Sequence, residues 1–234
     1  MKIEIWSDIV CPFCYIGKRK LEKALAKFPN KEEIEIEWKS FQLNPEEKTN
    51  PSISTIENLA KGKGWSLEQA KDASNYVIEA ASKEGLTFDF DKAVVANTLN
   101  GHRMIHFAQA NGKGSEMKER LLKAYFTDGL NVDDAATLKG IAVDLGLNPE
   151  EAQAVLDSDK YLDEVNQDIY ESRLVGVRGV PFFVLDRKYG ISGAQPDEVF
   201  DDTLNKAWTE FSKNNTEILL QGSDGEACDI DGNC

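Results

Sequence analysis

The chain has 234 residues, 41% of them hydrophobic, enough to bury a sizeable core as one domain with an insertion or as two domains. Asp and Glu number 41 against 27 Lys and Arg, and the formal net charge of −14 argues against nucleic acid and against anionic membrane surfaces as partners. No segment approaches the roughly 18 consecutive apolar residues of a membrane span.

The N-terminus alternates apolar and charged residues from Lys2 onward, which is the pattern of a strand and not of a secretory signal. A cytoplasmic protein is the expectation. Residues 2–7 are predicted as a first strand, with Ile3 and Ile5 on one face. Cys11-Pro12-Phe13-Cys14 follows at once. Ile16, Leu21, Ala24, Leu25 and Phe28 then recur at helical spacing until Pro29-Asn30. Residues 34–41 alternate again, so the opening reads as a βαβ unit. Residues 44–53 read as a loop. From about 54 to 176 the pattern is almost wholly helical. Ser66 with Gln69 forms a predicted capping box before a helix to about 84, and further helices fit 97–111, 116–127, 134–145, 149–156 and 159–175. Val180-Pro181 opens a short apolar strand to Leu185, residues 188–193 return as a hairpin partner, and Pro196 opens a last helix to about 213.

The expected architecture is therefore an α/β unit, residues 1–53 with 177–213, interrupted by a helical subdomain at 54–176. Residues 214–234 form a polar, Gly-containing tail.

Four cysteines fall in two pairs, Cys11 with Cys14 and Cys228 with Cys234. Thiol–disulfide exchange needs a thiolate to attack and a second thiol to resolve the mixed disulfide. A C-x-x-C pair opening a helix supplies both. Backbone N–H groups and the helix dipole favour negative charge on Cys11, Pro12 suits the first helical position, and Cys14 lies one turn on. Cys11 is thus expected to be the exposed, low-pKa thiol and Cys14 the inert one. The competing structural reading is a zinc half-site completed by Cys228 and Cys234, against which stands the absence of a second C-x-x-C. A proline entering a strand at Pro181 is either an ordinary strand start or a cis residue that sets Val180 against the sulfurs.

Taken together, certain segments resemble the DsbA family on a thioredoxin fold, and within it the FrnE-like branch, near the 2-hydroxychromene-2-carboxylate isomerases and kappa glutathione transferases. These segments are residues 7–19, Phe41-Gln42-Leu43-Asn44-Pro45, Asn97-Thr98 with His102-Arg103, and Gly179–Val184 with Ser192-Gly193-Ala194-Gln195. They span almost the whole chain to about residue 213. The resemblance implies a DsbA-like fold with an inserted helical subdomain. It implies disulfide oxidoreductase or isomerase activity at Cys11, with Cys14 resolving and a cis Pro181 and Val180 touching substrate. Pro12, Phe13, Gln42, Asn44 and Gln195 become candidate walls of a substrate cleft. Protein or small-molecule disulfides and thiols are the implied partners, with glutathione as a redox partner and no metal or other cofactor. Cysteine at 11 and 14 departs from the isomerase and transferase branches, which carry serine at the nucleophile. Their glutathione-dependent chemistry is the first rival reading, and a chaperone or zinc-binding interaction protein is the second. Phe13 replaces the histidine of periplasmic DsbA, so the expected potential lies between about −270 and about −120 mV, nearer the former.

His102 and His106 share a helical face but lack the Glu of an H-E-x-x-H zinc motif, which favours packing or a pocket edge. Trp6 is expected near the redox site. Asp8 is either an exposed capping residue or a proton relay to Cys14. Gly62-Lys63-Gly64 reads as a loop. Cys228 and Cys234 bracket Asp229 and Asp231 and form either an auxiliary redox pair that exchanges with Cys11 and Cys14 or a disulfide staple.

Overall fold

A computed structural model describes residues 1–214. Cys228 and Cys234 lie outside the described residues, and so does the reading of them as an auxiliary redox pair.

The main sheet has four strands in the order β2-β1-β5-β6. β1 (Lys2–Ser7) and β2 (Glu35–Ser40) run parallel, joined by α1 (Pro12–Lys27), with Ile3 opposite Ile36 and Ser7 opposite Ser40. β5 (Phe182–Leu185) runs antiparallel to β1 and pairs with β6 (Tyr189–Ser192). All but the first residue of β1 are buried, because both faces of the sheet are covered. Ile3 and Ile5 belong to the main core with Phe183 and Phe200, where α1 packs on the last helix, α9 (Asp197–Asn214). Trp6 points to the opposite face. There it packs with Val177 and Val184 and donates from Nε1 to the Asp168 carbonyl at 2.9 Å. Val180, whose carbonyl meets Cys11, packs against the same cluster, so Trp6 supports the redox site as the sequence suggests, from the face opposite Ile3 and Ile5 because alternate residues of a strand face opposite ways.

Between β2 and β5 run seven helices: α2 (Thr55–Lys63), α3 (Leu67–Lys83), α4 (Leu99–Ala110), α5 (Gly114–Lys123), α6 (Ala135–Asp144), α7 (Pro149–Leu156) and α8 (Leu162–Val175). This is the mixed α/β, DsbA-like arrangement that the sequence predicts. The Ser66–Gln69 capping box forms, and Ser54 with Glu57 makes a second one on α2. Gly64 ends α2 at φ 68°, in the left-handed region where a Cβ is disfavoured, and so permits the tight α2–α3 hairpin.

Three stretches differ from expectation, the first being Gly62-Lys63, read as loop but forming the end of α2, which only Gly64 closes. Asn50–Ser54, read as loop, is a strand, β3, on β4 (Val94–Val95), yet only Asn50–Val95 and Ser54–Val94 pair, with an irregularity between. So short and uneven a ribbon carries no alternation to detect. The helix expected over 116–127 stops as α5 at Lys123 and widens into a single π-type turn, Ala124–Asp128, closed by Gly129 at φ 67°. A Cβ at Gly129 would come 2.9 Å from the Lys92 carbonyl oxygen, which forces glycine there. The widened turn rotates Tyr125 toward the Cys11 cavity, a familiar use of such turns at functional sites.

Candidate active site

β1 ends at Ser7, and α1 begins at Pro12, so the intervening loop carries Asp8 and Cys11 off the carboxyl edge of the sheet. Because β5 is antiparallel, its first residues lie beside the end of β1, with Trp6 opposite Phe182. That register brings Val180-Pro181 to the same edge. The Val180–Pro181 bond is cis. The Val180 carbonyl accepts from Cys11 Sγ at 3.4 Å. Close packing of α1 fixes this approach, since a Cβ on Gly17 would lie 3.0 Å from Pro181 Cγ and 3.1 Å from Phe183 Cζ.

Cys11 is the N-cap of α1 with extended backbone, and the Cys14 amide donates to its carbonyl at 3.0 Å. Both cysteines are free thiols. Both are also buried, Cys11 to 4% exposure and Cys14 to 1%, which corrects the expectation of an exposed Cys11. The hydrogen bond it shares with Cys14, then burial, push the Cys11 thiol well above the ordinary range. Burial also works against the Cys14 thiolate, but the hydrogen bond from Cys11 and the Lys118 charge outweigh it, and Cys14 is held low. The buried Ser7 hydroxyl, without any other partner, stands ready to donate to that sulfur. The two thiols thus share one proton across their contact, and Lys118 and Ser7 are the groups that stabilise negative charge on the pair.

Two elements of the helical insertion support the pair. Lys118 of α5 is 1% exposed; its Nζ donates to the Ser7 carbonyl at 3.3 Å and sits 5.6 Å from the centre of the Trp38 ring. Burial lowers it to about 8 despite the attraction of Cys14, Asp8 and Cys11. His102 of α4 meets Asp8, Nε2 to Oδ1 at 3.2 Å. Asp8 is buried, not exposed, and also accepts from the amides of Ile9 and Leu43 at 2.7 Å each. Burial opposes its ionisation, yet the bond from His102 and these amides keep its carboxyl below the usual range. Burial lowers His102, so the contact is a neutral imidazole donating from Nε2 to a carboxylate. His106 turns instead to Ser40 Oγ at 3.1 Å and Asp168 Oδ2 at 3.0 Å. The two histidines thus serve separate carboxylates.

A cavity of about 420 Å³ opens at Cys11. Its walls include Val10, Leu59, Val77, Phe90, Val95 and Tyr125, and Phe13, Leu43 and Trp65 stand partly exposed around it. Of the residues singled out in the sequence, Cys11, Pro12, Phe13 and Asn44 line it, while Cys14 lies behind. Gln42 and Gln195 are not brought there. Gln42 Nε2 reaches Asn97 Oδ1 and Thr98 Oγ1 at 3.3 and 3.4 Å, and Gln195 Nε2 donates to the Ser192 carbonyl at 2.7 Å. Both serve to tie loops. Asn97 holds the 42–47 loop by donating to the Pro45 and Glu47 carbonyls at 3.1 and 2.9 Å, and Arg103 anchors α4 to the Lys160 carbonyl at 2.9 Å.

Lys118 was missed in the sequence, although a signal exists. It falls on the buried stripe of α5 with Leu121 and Leu122, a lone cation at an apolar spacing.

A free C-x-x-C pair at the carboxyl edge of a four-stranded sheet, under an inserted helical layer, defines the class as a DsbA-like oxidoreductase. The chain belongs to the DSBA-like thioredoxin domain family, whose model matches residues 2–205. A probable DsbA oxidoreductase from Streptomyces coelicolor is 39% identical and superposes with a TM-score of 0.84, covering 99% of this chain and 97% of that one. The YwbO protein of Bacillus subtilis (strain 168) is 27% identical over 207 residues, 87% of this chain and 95% of the relative. The cytosolic disulfide reductase DsbM from Pseudomonas aeruginosa shares the fold at 15% identity, with a TM-score of 0.64 over 90% of this chain and all of that one. No helix among the described residues is long and apolar enough to cross a membrane.

Proposed function

We propose that the chain exchanges thiols and disulfides through Cys11 and Cys14, with Cys11 meeting the substrate and Cys14 resolving. The observation that carries this reading is that Cys11 alone of the two free thiols among the described residues lines the cavity, one helical turn from Cys14 and 3.4 Å from the Val180 carbonyl. One proton is shared between the two thiols, and when it sits on Cys14 a Cys11 thiolate faces the cavity. Cys11 attacks one substrate sulfur, and the other departs and takes up a proton. Cys14 then loses its proton and attacks Cys11, releasing the second thiol and leaving a Cys11–Cys14 disulfide. Two electrons pass from dithiol to substrate, and a small thiol such as glutathione, or a dithiol, restores the pair. Run backwards, the same steps oxidise a substrate dithiol, and isomerisation needs only that Cys11 attack and leave.

Asp8, His102 and Lys118 act through the cysteines as positioning residues. Lys118 offsets thiolate charge, and the Asp8 carboxylate fixes the loop through its bonds to Ile9 and Leu43. A reducing role in the cytoplasm is the setting we favour, in line with what DsbM is described as doing.

The test is trapping with Cys14→Ala. Mixed disulfides should accumulate on Cys11 and vanish in Cys11→Ala. Full turnover that survives the loss of Cys14 would instead mark the glutathione-dependent isomerase or transferase reading. Activity that persists without both cysteines would mark a chaperone or other binding role.

A further inference from the structure

The cavity at Cys11 selects what can reach the sulfur. With Cys11 4% exposed, a disulfide on the surface of a protein has no broad access to it, and a reacting sulfur must enter the cavity. The space of about 420 Å³ lies within the range of small-molecule sites and is walled mainly by aliphatic and aromatic side chains from the α2–α3 hairpin, the β4 edge and Tyr125. Its charged groups are already engaged or peripheral. Asp8 is bound by His102 and two amides, and Glu47 Oε2 accepts from Asn44 and Asn58 at 3.0 Å each. Lys63 sits at the exposed end of α2. A polar group carried inward would find uncharged partners at a few points such as Tyr125 and Thr98, whereas an apolar body is favoured by burial against most of the wall.

We propose that the physiological substrate is a small disulfide bearing a compact apolar group, aromatic or branched aliphatic, which fills this cavity while its sulfur meets Cys11. The inference rests on the redox reading above and names its substrate class. In the reducing direction, R–S–S–R′ and the Cys11–Cys14 dithiol give RSH, R′SH and the Cys11–Cys14 disulfide. The apolar R group stays in the cavity through the mixed disulfide and leaves when Cys14 attacks.

The experiment uses pre-reduced full-length protein in single turnover, with formation of the Cys11–Cys14 disulfide followed by acid quench, alkylation and mass spectrometry. Benzyl 2-hydroxyethyl disulfide is compared with bis(2-hydroxyethyl) disulfide, each rate being normalised to that with free dithiothreitol to remove intrinsic reactivity. A preference of at least about tenfold for the benzyl compound is expected, the scale of one well-buried apolar group. Ala73→Phe, which fills the cavity from the half-exposed face of α3, should reduce that preference to about twofold or less. Thioanisole, which has no disulfide to exchange, should slow oxidation of the wild type by the benzyl compound, a check that does not depend on the variant folding. Equal normalised rates, a preference unchanged by Ala73→Phe, no effect of thioanisole, or faster reaction with insulin would overturn the substrate class and leave the redox pair standing. Failure of both disulfides to oxidise Cys11 and Cys14 would overturn the redox reading itself, and this inference with it.

Discussion

Replacing Lys118 with methionine should stabilise the reduced protein at neutral pH, although it deletes a hydrogen bond. An unfolded lysine titrates near 10.5, and in the fold burial brings Lys118 to about 8. Between those values the unfolded chain binds the extra proton, so the lysine's contribution makes stability rise with pH across that window. Below pH 8 the buried ammonium is charged and its cost is fully present. At about 1.4 kcal/mol per tenfold change, that cost is about 3 kcal/mol at pH 7 and below about 1 kcal/mol at pH 10. The bond from Lys118 Nζ to the Ser7 carbonyl survives deprotonation, and losing it costs about 1 kcal/mol at either pH. Lys118→Met should therefore gain about 2 kcal/mol at pH 7 and almost nothing at pH 10. Urea denaturation of wild type and variant under reducing conditions at both pH values measures this, and taking the difference cancels the groups whose titration Lys118 does not influence. A variant less stable at pH 7, or a difference that does not shrink by pH 10, refutes the view of Lys118 as a buried cation held at a loss for the thiolate. The same variant should raise the pH at which Cys14 ionises, read from thiolate absorbance.

Gly17→Val should cost about 1–3 kcal/mol by crowding Pro181 and Phe183, and should slow single-turnover exchange by shifting Val180 from Cys11; normal values of both would show that the close approach of α1 is unimportant. His102 is lowered by burial, so the unfolded chain takes up a proton that the fold refuses, and this part of the stability is lost as pH falls through 6.5. His102→Gln keeps a donor for Asp8 without the charge change and should flatten the stability profile between pH 7 and 5; an unchanged slope in that range would mean that His102 becomes protonated in place. Cys14→Ala trapping and the Ala73→Phe preference provide the remaining checks.

How legible the site was depends on how locally its parts are encoded. Cys11-Pro12-Phe13-Cys14 could be read because a strand, a motif and a helix follow one another within 27 residues, and every signal is of short range. Val180-Pro181 could be read as a strand entry, but its place beside Cys11 follows from the antiparallel register of β5 on β1, a pairing between residues nearly 180 apart. Asp8 was visible as a residue and misjudged as to burial, because what buries it is His102 and the Leu43 amide, brought in by the insertion and the loop after β2. Gln42 and Gln195 were legible as polar residues in a recurring pattern. Their amides satisfy loop groups, a role that looks the same in sequence as facing a ligand.

The division of labour between the two parts of the fold follows from the same geometry. The sheet and α1 supply the sulfurs and the Val180 carbonyl. What tunes the exchange comes from between β2 and β5: Lys118 beneath the pair, His102 on Asp8, and the α2–α3 hairpin with Tyr125 around the cavity. The insertion buries Cys11, which makes its thiolate costly, and supplies the Lys118 cation that offsets the cost at Cys14. On the substrate class proposed above, an apolar group seated in the cavity excludes water from the Cys11 side and leaves Lys118 and Ser7 behind it as the groups that stabilise charge at Cys14.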